Sequence, residues 1–148
     1  MSAYRKILVA VDGSRAAAKG LSEAIRLAKA EGARLFIVHV VDDFPALASL
    51  DGVAPGVDLV PMLREGGSRI LAKANAVALK QKIKPKIILR ERFGGPAADP
   101  IVREAGKLGA DLIVLGTHGR RGVRRLVLGS DAEQVVRTAS VPVLLVRA

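Results

Sequence analysis

Asp111-Leu-Ile-Val-Leu-Gly-Thr-His-Gly-Arg-Arg-Gly-Val-Arg-Arg-Leu-Val-Leu-Gly-Ser130 joins an apolar run, a loop punctuated by glycine and the start of a helical pattern. Leu112 to Leu115 reads as a buried strand. Gly116, Gly119 and Gly122 break it, and Gly129-Ser130 precedes the helix. Such a succession suits the holding of a phosphate. Glycine lets backbone approach an anion, and the first N–H groups of a helix have no internal acceptors.

The flanking chain repeats the same alternation of strand and helix. Ile7 to Val11 is a short apolar run ended by Asp12-Gly13-Ser14, with Ser14 placed to cap a helix. Ala17, Leu21, Ala24, Ile25 and Ala28 recur on one side of that helix, and Gly32 stops it. Arg34 to Val41 is the second strand, completing a βαβ unit. Asp42 to Pro61 is rich in Pro and Gly and reads as a long connection suited to a lid or an interface. A helix is expected from Met62 to Gln81, with order beginning near Ser68 because Gly66-Gly67 weakens its first turns. Lys86 to Arg90 is the third strand. Asp99-Pro100 suits a cap and first helical residue, although a start nearer Pro96 is also compatible. The last helix runs from about Asp131 to Thr138, with Ser130-Asp-Ala-Glu133 reading as a capping box, and Pro142 to Val146 is the last strand. Five strands alternating with four helices predict an α/β fold with a parallel sheet and helices on both faces. Ligands in such sheets bind beyond the carboxyl ends of the strands, where Asp12, Val40 and Gly116 all fall.

Composition narrows the classes. The 148 residues are expected to form one domain, residues 1–148. Charged residues interrupt every apolar run before membrane-spanning length, and the basic start leads straight into a strand and lacks a small-residue cleavage site. A cytoplasmic protein without a membrane segment is therefore expected. Cysteine is absent, which removes disulfides, thiol catalysis and cysteine-ligated zinc. The net charge of +10 attracts anions, but it is spread over many segments. With three Phe, one Tyr and no Trp, the chain lacks a stacking platform for single strands, so nucleic acid is not the expected partner.

The chemical groups leave several roles open. The glycine loop lacks the Gly-Lys-Ser or Gly-Lys-Thr ending of a Walker motif, and the first strand lacks the dinucleotide fingerprint. Phosphate contacts would come from backbone N–H groups near Gly116 to Arg120 and at Gly129-Ser130. The Ser130 hydroxyl either binds phosphate or caps the helix. Asp12 faces ribose, the adenine edge or magnesium, or it simply forms the turn with Gly13. Val40 either offers backbone groups to a purine or belongs to the core. His118 is a phosphate donor, an acid–base group or a locally bonded loop residue, whereas His39, inside a strand, reads as structural. Arg120, Arg121, Arg124 and Arg125 are the densest positive cluster and either attract phosphate or an acidic partner or stay solvated. No catalytic triad or metal-ligand set is identifiable, so efficient catalysis is not the leading expectation.

Gly116-Thr-His-Gly119, nine further residues and Gly129-Ser130 together resemble the nucleotide-binding motif of the universal stress protein family. Lys6-Ile-Leu-Val-Ala-Val-Asp-Gly-Ser14, Phe36-Ile-Val-His-Val-Val41 and Ser140-Val-Pro-Val-Leu-Leu-Val146 are similar to other segments of that family, so the resemblance spans essentially the whole chain. It implies strand order 3-2-1-4-5, dimerisation through the last strand, and a role in stress response or signalling with little or no ATP hydrolysis. It also implies ATP, with or without Mg2+, as cofactor. Asp12 and Val40 would adjoin ribose and adenine, and Gly116, His118, Gly119, Arg120, Gly129 and Ser130 would surround the phosphates. The family usually has valine after the Gly-Ser pair, where this chain has Asp131. The alternatives are a nucleotide-independent module that binds a protein signalling partner, and a slow ATPase or phosphotransferase using Asp12 as base.

Overall fold

The side chains of the first strand point alternately to two separate cores. Ile7, Val9 and Val11 lie in one, and Leu8 lies in the other. Both faces are apolar because helices cover both. The computed structural model describes residues 1–42, 60–92, 94–117 and 128–148. In chain order these form β1 (Lys6–Ala10), α1 (Arg15–Glu31), β2 (Arg34–Asp42), α2 (Val60–Lys80), β3 (Lys86–Arg92), α3 (Ala98–Leu108), β4 (Leu112–Gly116), α4 (Ser130–Thr138) and β5 (Val143–Val146). The strands make a five-stranded parallel sheet in the order β3-β2-β1-β4-β5, as the family resemblance implies.

Helices α1 and α2 cover one face, where Leu21, Ala24, Ile25, Leu71 and Ala74 pack on Val9, Ile37 and Val114. Helices α3 and α4 cover the other, where Ile101, Ala105, Ala132 and Val135 pack on Leu8, Val38 and Ile113. Ile7, Leu8, Val9, Ile37 and Ile113 have no accessible surface. Burying each such side chain contributes roughly 1.5–3 kcal/mol. The central pair β1 and β4 is also tied at its amino end. The Asp111 carboxylate accepts from the backbone N–H of Arg5 at 2.9 Å and of Lys6 at 3.1 Å, while Asp111 N–H donates to the Lys6 carbonyl at 3.0 Å.

Two helix starts differ from expectation, and that of α3 takes the alternative near Pro96. Helix α2 runs unbroken through Gly66-Gly67 from Val60. Gly67 is buried, and a methyl placed there would lie 2.9 Å from His39 Cδ2 and 2.9 Å from Leu89 Cδ1. Close packing on β2 and β3 thus offsets the poor helix propensity of the glycine. Helix α3 begins at Ala98 after Ala97, with no side-chain cap. Asp99 is inside the first turn, its N–H donating to the Pro96 carbonyl at 3.2 Å, which agrees with the start nearer Pro96. Helix α4 is capped by Gly129, so Ser130 is already helical and the expected capping box is not formed. The Glu133 carboxylate pairs with Arg137 one turn on at 2.7 Å instead of reaching back. Most of the Asp42–Pro61 segment lies outside the described residues.

Candidate functional site at the carboxyl ends of β1 and β4

The sheet order reverses between β1 and β4. The chain moves from β1 outward through β2 to β3, then returns to place β4 on the other side of β1. Both crossovers from this central pair begin at the carboxyl ends of the strands, and the helices that follow diverge to opposite faces. A crevice at this point is where ligands sit in open parallel sheets.

At the end of β1 the turn Asp12-Gly13-Ser14 is built from its own side chains. Asp12 Oδ1 accepts from Ser14 N–H at 2.9 Å, and Gly13 takes a φ of 84°, which a side chain would strain. Ser14 Oγ accepts from Ala17 N–H at 3.1 Å and caps α1. Asp12 is half-buried and held in position just beyond the carboxyl end of β1.

At the end of β4, Gly116 is where α1 crosses. A methyl on Gly116 would lie 2.4 Å from the Ala16 carbonyl carbon and 2.7 Å from Ala17 N. A methyl on Gly20, one turn further along α1, would lie 3.3 Å from Gly116 N. The absence of a side chain at Gly116 thus lets the start of α1 rest on the strand end. This close approach is a structural demand on Gly116 that the loop pattern alone does not express. Gly20 was not singled out by its sequence, although its signal was present: a glycine among Ala16, Ala17, Leu21 and Ala24 on the buried face of an otherwise regular helix.

Thr117 joins the two halves of the glycine motif. Its N–H donates to the Val146 carbonyl of β5 at 3.0 Å, and its carbonyl accepts from Gly129 N–H at 2.7 Å. The start of α4 is thereby clamped against the end of β4. Gly129 N–H is engaged in this contact. The first N–H groups of a helix have no acceptor four residues earlier; within α4 the first such bond runs from Glu133 N–H to the Gly129 carbonyl at 2.9 Å, so those of Ser130, Asp131 and Ala132 have no intrahelical acceptor among the described residues. Thr117 itself is 9% exposed, and its Oγ1 is buried without a hydrogen-bond partner. A buried hydroxyl of this kind calls for a polar partner. Thr117 is a second residue that sequence reasoning passed over, although it lies within the Gly-Thr-His-Gly run.

The amino ends of α1, α3 and α4 all lie on this side of the sheet, since each follows a parallel strand. Their dipoles add positive potential where the glycine motif ends. Asp131 and Glu133 occupy the first turn of α4, and both are exposed. His118, Gly119 and Arg120, with the arginines at 121, 124 and 125, lie outside the described residues.

Val40 lies near the carboxyl end of β2, next to Arg90 in the β2–β3 register, and is half-buried against the core beneath α3. Beyond it, Asp42 pairs with Arg92 at 2.7 Å, and the other arm of Arg92 donates to the Gly95 carbonyl at 2.6 Å. Arg64 of α2 forms a two-point ion pair with Glu91. Both ion pairs lie at the β3 side of the crevice. His39 Nδ1 is 2.7 Å from the Val11 carbonyl, in keeping with a structural histidine that ties β2 to the end of β1. The structure thus brings Asp12, Gly116, Gly129 and Ser130 to one end of the central strand pair and Val40 to its flank.

The residues present fit a nucleotide. The carboxylate of Asp12 is pinned by its turn, the start of α4 is clamped to the end of β4, and the Thr117 hydroxyl is buried without a partner among the described residues. Known proteins share this chain's sequence pattern and fold. A model of the universal stress protein family matches residues 3–147. A universal stress protein of Methanocaldococcus jannaschii is 36% identical over 144 residues, covering 97% of this chain and 82% of its relative. The crystal structure of a protein of that family from Burkholderia pseudomallei superposes with a TM-score of 0.76 at 37% identity, covering 98% of this chain and 97% of the other. The Archaeoglobus fulgidus universal stress protein in complex with dAMP superposes with a TM-score of 0.68 at 27% identity, covering 97% and 98%.

Proposed function

This chain belongs to the universal stress protein family, and on that premise we propose that it is an ATP-binding regulatory protein of stress response or signalling. The observation that carries the reading is the hydrogen bond from Gly129 N–H to the Thr117 carbonyl. It brings the two ends of the glycine motif together, as a single polyphosphate site requires. The dAMP complex of the Archaeoglobus fulgidus relative supports an adenine nucleotide as the ligand class.

In this reading Asp12 and Val40 adjoin ribose and adenine. Gly116, His118, Gly119, Arg120, Gly129 and Ser130 surround the phosphates, with magnesium accompanying them. The contribution of Gly116 is to let α1 approach, and that of Gly129 is to hold α4 in place, so the donors themselves come from Ser130 onward and from the loop. ATP would act as a regulatory ligand rather than as an efficiently turned-over substrate. The protein would be a cytoplasmic homodimer paired along β5, an edge strand whose four residues are each only half-buried. Among the described residues no helix is long and apolar enough to cross a membrane.

Isothermal titration of the full chain with ATP and magnesium tests the reading. Saturable binding with a dissociation constant of about 1 mM or tighter is expected, equivalent to at least about 4 kcal/mol. Absence of saturable heat at millimolar nucleotide overturns it. The exposed Asp131 carboxylate in the first turn of α4 favours a second reading, a protein-interaction module indifferent to nucleotide. Partner capture unchanged by ATP would select that one.

A further inference from the structure

At the opposite end of the sheet the amino ends of β2 and β3 border an open cleft of about 490 Å³. Arg34, Lys82, Lys84 and Lys86 line it, and all four are exposed. Its floor is apolar, with Phe36 at 8% exposure and Ile83 half-buried. None of the four cations forms an ion pair among the described residues. Two acids of this end are committed elsewhere. Glu31 accepts from the N–H groups of Ala3 and Tyr4, and Asp111 accepts from those of Arg5 and Lys6.

Lys82 adds an independent observation. It is the one residue other than glycine with a positive φ among the described residues, at 62°. It ends α2, where Lys82 N–H donates to the Leu79 carbonyl and Ile83 N–H to that of Ala78. Helices α1 and α3 end in the same left-handed conformation on Gly32 and Gly109, with φ values of 65° and 63°. The left-handed conformation costs a lysine roughly 1–2 kcal/mol that glycine avoids. The negative end of the helix dipole does not account for the choice, because Lys80 in the last turn already complements it. A strained residue that keeps its charge over a cleft points to a use for that charge.

We propose that this cleft is a second anion site, separate from the glycine motif, that takes a small polyphosphate-bearing metabolite. Four exposed cations around one open cleft suit several phosphate charges. A single-stranded nucleic acid is disfavoured because the one aromatic side chain, Phe36, is buried and offers no stacking face.

Inorganic tripolyphosphate titrated into the full chain, read by backbone amide NMR, tests the site. Saturating shifts at residues 33–36 and 82–86 are expected, whether or not residues near 12–14, 116–117 and 129–131 also respond. Lys82→Gly should weaken the affinity read from 33–36 and 82–86 by about three- to tenfold, the loss of one charge-assisted contact at an exposed site. Because it also relieves the backbone, this variant should be at least as resistant to urea as the wild type, so weakened binding cannot be laid to unfolding. Lys84→Ala should weaken binding without that gain in stability. The proposal is overturned by shifts that rise linearly without saturation, by wild-type affinity in both variants, or by a response confined to the carboxyl end of the sheet. Saturation at 33–36 and 82–86 by a single-stranded oligonucleotide but not by tripolyphosphate also overturns it, in favour of a nucleic-acid surface.

Discussion

Replacing Gly116 by alanine should loosen the junction on which the site is built. The added methyl would lie 2.4 Å from the Ala16 carbonyl carbon, 2.7 Å from its oxygen and 2.7 Å from Ala17 N. All three are backbone atoms of a capped first turn, so no side chain can rotate away. Helix α1 or the end of β4 must shift by about 1 Å to restore ordinary contact, which for overpacking of this kind costs roughly 1–3 kcal/mol or more. Against that stands the gain of about 0.5–1 kcal/mol from replacing glycine within a strand. A net loss of about 1 kcal/mol or more is expected, equivalent to a fall in Tm of at least about 2–4 °C for a chain of this size. Urea unfolding at fixed protein concentration measures it as a lower midpoint. Gly66→Ala is the control: it is helical and a methyl there meets nothing within 4 Å. It should raise stability by about 0.5–1 kcal/mol. Gly20→Ala acts on the same crossing, at 3.3 Å from Gly116 N, and should combine non-additively with Gly116→Ala. An unchanged or higher midpoint for Gly116→Ala would refute the claim that this strand end needs glycine for packing.

Two further outcomes follow from the same geometry. Arg90 makes a two-point ion pair with Glu104, at 2.8 and 3.0 Å, and Glu104 is only 4% exposed. Arg90→Met should cost about 1–3 kcal/mol by stranding a buried carboxylate, the lower part of the range being favoured because Arg90 is 43% exposed. Adding Glu104→Leu should recover part of that loss in urea unfolding. Asp131→Asn removes an exposed carboxylate from the first turn of α4 without changing its shape. If the phosphates of ATP sit at that turn, affinity by isothermal titration should rise about two- to fivefold and the gain should shrink at high salt. Equal affinity at low salt would place the phosphates elsewhere.

Local pattern alone carried the order of elements. Continuous apolar runs at Ile7–Val11 and Leu112–Leu115, separated by helical periodicity and stopped by Gly32 and Gly109, already imply a parallel sheet covered on both faces. The strand order came from family resemblance and agrees with the sheet. Helix starts were legible only where a capping residue acts on its immediate neighbours, as Ser14 does on Ala17. Ser130 has the same chemistry but lies one position inside its helix, because Gly129 is fastened to Thr117 across the loop. Likewise Gly66-Gly67 looked like a weak helix start, and the packing of Gly67 on His39 and Leu89 made it part of a continuous helix.

Of the candidate site, the residue types were visible in the chain, while the packing and hydrogen bonds of Gly116 and Thr117 come from distant segments. Asp12 forms its turn within three residues, and that much is readable from Asp-Gly-Ser. Gly116 stands in a loop motif, yet the atoms that forbid a side chain there belong to Ala16 and Ala17, far away in sequence. Thr117 gains its place from Val146 and Gly129, and Lys82 gains its cationic neighbours from another strand. Hydrophobic period and turn chemistry act over a few residues and can be read along the chain. Close approach, burial and shared charge act through space, and the folded arrangement of the strands alone brings them about.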